Sequence, residues 1–102
     1  MVQEMMPRES LEAAWLRLTR ETLPAAADSR GWPIVRDHCF QRVLLDAATG
    51  GCWYDAISRR PAYRHAAPEI LAAAIALGEA VLAGGADLVA LNRQSLRWRG
   101  KL

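Results

Sequence analysis

From Ser10 onward the apolar positions recur at helical spacing. Leu11, Ala14, Trp15 and Leu18, continued by Thr22, form one stripe, with Arg17 and Glu21 four residues apart on the other side. Ser10 is a suitable N-cap, so the pattern predicts a helix from Ser10 to about Thr22, ended by Pro24 and the "DSRGWP" segment. Gly31 and Pro33 punctuate the loop that follows, and Trp32 is expected to fold back as an apolar plug. The second helix is expected to start near Pro33, a good first-turn residue, and to run to about Ala48. Its buried stripe is Val35, Cys39, Phe40, Val43, Leu44 and Ala47, with Asp37, His38, Gln41 and Arg42 opposite and Thr49-Gly50-Gly51 as the stop.

The pattern then changes. Cys52 to Arg59 predicts a short helix, and "RRPAYRHAAP" an extended or turning linker, because Pro61 and Pro68 resist helix before them. "PEILAAAIALGEAVLA" is the clearest helix, with Glu69 and Glu79 its only charges. A helix apolar all round is either central in its fold or lies against a second subunit, and its alanines with Gly78 permit close helix contact. Gly84-Gly85 ends it, Asp87 caps the next, and "LVALNRQSLRW" sets Leu88, Leu91, Ser95 and Trp98 against Arg93, Gln94 and Arg97. No run has the strict alternation of a strand. The expected fold is all-α: one helical domain over 1–102, a bundle of four main helices plus one short helix, with 1–8 and 99–102 loose.

Composition narrows the function classes. A chain of 102 residues, 52% hydrophobic and 24% charged, is long enough to bury a core without a disulfide or metal staple. No apolar run reaches the ~18 residues of a membrane span. With no secretory apolar segment and only Cys39 and Cys52, the expected setting is a cytoplasm with reduced thiols. The net charge of +2 demands no anionic partner, but the charge is uneven: the stretch from Cys52 on has six Arg and one Lys against four acids.

The chemistry-bearing residues concentrate in "GGCWYDAISRRPAYRH". His38 and Cys39 are adjacent, so on a helix they point about 100° apart, and with Cys52 and His65 they lack the paired spacing of a zinc site. No metal or other cofactor is expected. Cys52, after two glycines at a helix start, is the better-placed thiol, with Arg59, Arg60 or His65 able to fold over it, and a thiol enzyme is one reading. No catalytic residue is assigned, because a cysteine beside Trp53 more often packs than reacts; Asp46 and Asp55 read as caps or ion-pair partners. The Gly84-Gly85 junction suggests a helix-turn-helix, but Arg93 falls where its second helix buries an apolar residue.

The leading expectation is a binding protein for nucleic acid, DNA included, or another phosphorylated ligand. Arg59, Arg60, Arg64 and His65 surround Tyr63, Trp53 and Tyr54 lie one short helix away, and Arg93 and Arg97 add a ridge on the last helix. Arginines would follow phosphates and rings would stack on bases. Two other readings stand beside it: a homodimeric interaction module using helix 69–83, and the Cys52 enzyme.

The runs "HCFQRVLLDAATGGCWYDAI", "RPAYRHA" and "LNRQSLRWRGK" resemble a group of short bacterial proteins often labelled as related to N-acetyltransferases. The resemblance spans about Trp32 to Lys101, and "GCWYD" and "PAYRH" are its most specific pieces. Acetyltransferases build a splayed antiparallel sheet and a Gln/Arg-x-x-Gly-x-Gly/Ala pyrophosphate loop. This chain offers neither, so no site residue is carried across. What the resemblance implies is that the "GCWYD…PAYRH" corner defines the group.

Overall fold

The computed structural model describes residues 7–102, and the described residues form helices joined by irregular segments, with no strand. The chain forms α1 (Arg8–Arg17), a π turn (Leu18–Thr22), α2 (Leu23–Arg30), α3 (Asp37–Thr49), the single turns α4 (Trp53–Ala56) and α5 (Ala62–His65), α6 (Pro68–Ala83) and α7 (Leu88–Trp98). The architecture is the all-α bundle read from the apolar pattern, with α1–α2, α3, α6 and α7 as its main helices.

Helix α3 lies at the centre, packed on α6, α7 and the π turn. Phe40, Val43, Leu44 and Leu45 on α3 are buried together with Trp15, Leu23, Leu71 and Ala74. At Gly78 helix α6 comes so close that an added Cβ would stand 2.6 Å from Leu18 Cδ2 and 3.1 Å from Leu44 Cδ1. The alternating large and absent side chains let the helix backbones meet.

Three boundaries differ from the sequence reading. The first helix does not stop before Pro24 but continues to Arg30. A proline ring inside a regular α-helix collides with the carbonyl four residues back. Here Leu23 N–H reaches the carbonyl of Leu18, and this wider π turn carries the chain past the proline without breaking it. The helix ends instead at Gly31, whose φ of 62° is left-handed. The second helix begins at Asp37 rather than near Pro33, because residues 31–36 run irregularly to seat Trp32 and Ile34. Trp32 does fold back, its ring edge-on to Phe40 at 5.9 Å, while Val35, expected inside, is exposed. Finally, an extra turn, α5, forms within the "RRPAYRH" linker.

Helix α6 is apolar on both sides for different reasons. Leu71, Ala74, Gly78 and Val81 are buried, whereas the outward face is largely alanine: Ala72, Ala73, Ala76 and Ala83 are exposed. Asp87 caps α7 as its position suggests, accepting from Val89 N at 2.9 Å and Ala90 N at 3.4 Å. Among the described residues no helix is long and apolar enough to cross a membrane. Of the stretch 1–8 expected to be loose, residues 1–6 lie outside the described residues. Arg8 is tied down, bonding Glu12 and the carbonyls of Tyr63 and Ala66. The Arg17–Glu21 pair expected on this first helix is not made; the ion pair observed there is Arg8–Glu12, ahead of the π turn that disrupts the four-residue spacing.

Candidate anion-binding cleft

The centre of the site is Asp46, which reads from sequence as a cap or an ion-pair partner. Asp46 stands on the apolar stripe of α3, three residues after Val43, and is fully buried. Its carboxylate accepts four hydrogen bonds. Arg99 donates Nε to Oδ2 at 2.8 Å and Nη2 to Oδ1 at 3.0 Å, Ser95 Oγ donates to Oδ2 at 2.7 Å, and Trp53 N donates to Oδ1 at 2.9 Å. A buried charge is tolerated only with such complete pairing. The hydrogen bond to Asp46 holds the Arg99 guanidinium above its ordinary pKa, against the opposing effect of its partial burial. Arg99, read from sequence as part of a loose tail, thus ties the end of α7 to the middle of α3, and Asp46 also starts α4.

Arg42 extends this network outward. Its Nη1 donates to Ser95 Oγ at 2.7 Å and its Nη2 to Asn92 Oδ1 at 2.7 Å. Both partners are neutral, and among the described residues no carboxylate oxygen lies within ion-pair distance of Arg42. Two of its five N–H donors are used here, so three remain.

Arg42 forms part of the wall of a cleft of about 280 Å³ between α3, the π turn and the α4–α5 corner. Arg20, His38, Gln41 and Arg60 supply its other polar lining, and Trp15, Leu45, Trp53, Pro61, Ala62 and Tyr63 the rest. Three arginines meet there, from the π turn, α3 and the segment between α4 and α5, and among the described residues no carboxylate lines it. The π turn places Arg20: Thr19 is buried, donating to Trp15 O at 2.8 Å and accepting from Gln41 Nε2 at 3.0 Å, which leaves the next side chain on the cleft side. Arg20 has a loose partner at its rim, Asp37 Oδ2 at 4.0 Å, both side chains being about half exposed. His38, Gln41, Arg42 and Leu45 share one stripe of α3 and all four line the cleft.

The residues singled out in the sequence are divided by the fold. Trp53, Arg60 and Tyr63 line the cleft. Tyr54, Arg59, Arg64, His65, Arg93 and Arg97 are exposed and do not line it. Helix α7 does not line the cleft but holds Arg42 through Asn92 and Ser95, while Arg93 and Arg97 lie on its outer side.

The aromatic rings already hold arginines. Arg60 lies over Trp53 at 5.0 Å, Arg64 over Tyr63 at 5.8 Å, and Arg99 over Tyr54 at 5.2 Å. The interleaving that suggests base stacking is here a set of internal cation–π contacts that orient guanidinium planes.

Cys52 precedes α4 and is half-buried, its sulfur 3.5 Å from the carbonyl of Trp98. Hydrogen bonding to Cys52 is the largest of the influences that raise the Tyr54 phenol above its ordinary pKa. Among the described residues no imidazole is hydrogen-bonded to Cys52. Among the described residues no three His, Cys, Asp or Glu side chains are grouped to hold a metal ion.

Comparison of the chain with protein-family models, with curated proteins and with solved structures returns no match. The reading of the cleft therefore rests on its own geometry.

Proposed function

We propose that the protein binds a small phosphate-bearing ligand in this cleft. The observation that carries the reading is the convergence of Arg20, Arg42 and Arg60 on one concavity with no carboxylate in its lining. A planar guanidinium fork matches phosphate oxygens two at a time, and low polarity around the fork strengthens each bond. Leu45, Pro61 and Ala62 provide that apolar surround. The cleft volume of about 280 Å³ is at the lower end for small-molecule sites. This size favours a compact ligand over a strand of nucleic acid, as does the covering of the Trp53 and Tyr63 rings by arginines. The chemistry supported is binding and charge neutralisation.

Trp15 and Trp53 line the cleft, so tryptophan fluorescence reports on it. Titration with inorganic phosphate at low ionic strength should give a saturable change, and Arg60→Ala should remove it while leaving the melting temperature in place. Absence of any saturable change with folded protein would overturn the reading. A steeply salt-dependent response to single-stranded DNA alone would move the binding surface to the exposed arginines.

A further inference from the structure

We infer that the group bound is a terminal phosphomonoester, taken as its dianion, and not the monoanionic phosphate of a diester; this rests on the phosphate-binding reading above. The first argument is charge. Asp46 is already neutralised by the bidentate Arg99, so the positive charge of Arg42 is surplus within its own network. Arg60 adds a second, lying over the ring face of Trp53 and making no ion pair among the described residues. Arg20 adds a third, offset in part by Asp37 at the rim. His38 and Tyr63 are the other ionisable groups in the lining, and no acid faces inward. A monoanion would leave most of this charge uncompensated.

The second argument is shape. Arg42 is tethered through two of its nitrogens and Arg60 is stacked, so two guanidinium edges are held in place before any ligand arrives. With Arg20 approaching from the π turn, donors face the cleft from three segments of the chain. A monoester presents three terminal oxygens to such a cage and leaves by one ester bond. A diester has only two free oxygens, and both of its ester arms would need an exit from a cleft of about 280 Å³.

Calorimetric titration of the full chain at pH 7.5 with methyl phosphate, dimethyl phosphate and methyl sulfate separates charge from shape. Above the second phosphate pKa of about 6 the first is mainly a dianion, whereas the other two carry one charge. Methyl phosphate is expected to bind at least about tenfold tighter than either monoanion. The exposed-site variant Arg60→Gln should erase most of that difference. Equal binding of all three anions would overturn the inference and leave the phosphate site standing. Binding of none, with the melting curve intact, would overturn the site itself. A short DNA strand with a 5′-phosphate and its 5′-hydroxyl twin then serve as competitors of methyl phosphate. Competition by the phosphorylated strand alone assigns chain ends as a source of the monoester, competition by neither assigns free phosphoesters, and equal competition by both overturns the inference.

Discussion

Arg42 and Asp46 stand one helical turn apart on α3, and their charges are joined by Ser95 rather than by contact. Ser95 Oγ accepts a hydrogen bond from Arg42 at 2.7 Å and donates one to Asp46 at 2.7 Å. The nearest intrahelical arrangement for such a pair is a direct salt bridge. It does not form because Arg99 takes both carboxylate oxygens of Asp46. Arg42 is thereby oriented by the fold with no carboxylate partner among the described residues, as the proposed phosphate site requires.

Asp46→Asn should be among the most destabilising polar substitutions in the chain. The amide would turn a donor toward Arg99, Ser95 or Trp53 N, all of which donate to this position. Removing one member of a buried ion pair costs about 3–5 kcal/mol, and urea unfolding would read the loss as a lower midpoint at unchanged slope. Arg99→Met should cost at least as much, because it leaves the fully buried Asp46 carboxylate without its countercharge, whereas the Arg99 side chain keeps part of its surface in water. A loss below about 1 kcal/mol for Asp46→Asn, the range of exposed pairs, would show that the pair is effectively solvated.

The helices were legible from sequence because their cause is local. A 3.6-residue apolar stripe, a proline at an entry and a glycine at an exit act within one turn, so α6 and α7 are read nearly as they stand, and α3 at its glycine end, while its start is read one turn early at Pro33. The π turn was not, because Pro24 is a breaker in every frame except one in which the preceding turn is widened. The corner "GGCWYDAISRRPAYRH" supplies five cleft residues, Trp53, Arg60, Pro61, Ala62 and Tyr63. The other half of the cleft escaped for a physical reason: His38, Gln41 and Arg42 form a polar stripe, which looks the same whether it faces water or a concavity. One signal was present. Asp46 interrupts the apolar stripe three residues after Val43, and a carboxylate there requires a cation; Arg99 as that cation is 53 residues away and invisible to periodicity.

Ser95→Ala tests whether orientation of Arg42 matters for binding. The variant deletes a bond to Arg42 and a bond to Asp46 at a fully buried position. A stability loss of about 1–3 kcal/mol is expected from the unsatisfied partners. Measured well below the melting temperature, affinity for inorganic phosphate should also fall by about tenfold. A destabilised variant with unchanged affinity would confine Ser95 to a structural role.

Gly78→Val should destabilise by overpacking. The added Cβ alone meets Leu18 Cδ2 at 2.6 Å and Leu44 Cδ1 at 3.1 Å, and both leucines are buried. A cost of about 2 kcal/mol is expected, exceeding the gain in helix propensity. Thermal unfolding checks it, and an unchanged melting temperature would mean that α6 and the π turn can part without penalty.

Ala76→Glu distinguishes the outward face of α6 from an interface. Ala76 is exposed, so the substitution should change the stability of the single chain by no more than about 0.5 kcal/mol. Sedimentation and thermal melts at several protein concentrations check this. A concentration-dependent fall in melting temperature would show α6 buried against a second copy of the chain.

Trp53 is expected to act on the ligand through Arg60. Its ring lies under the Arg60 guanidinium at 5.0 Å, and its backbone N–H holds Asp46, a bond that survives any side-chain change. Trp53→Phe keeps an aromatic face for the guanidinium and should retain most of the phosphate affinity. Trp53→Leu keeps apolar bulk but offers no such face, so Arg60 regains rotamer freedom that binding must then remove, at about 0.5–1.5 kcal/mol. The expected loss is about three- to tenfold in affinity for Leu and little for Phe, read by calorimetry because both variants lose a fluorophore. Equal losses in the two would place the indole itself against the ligand, and no loss in either would remove the α4 corner from the site.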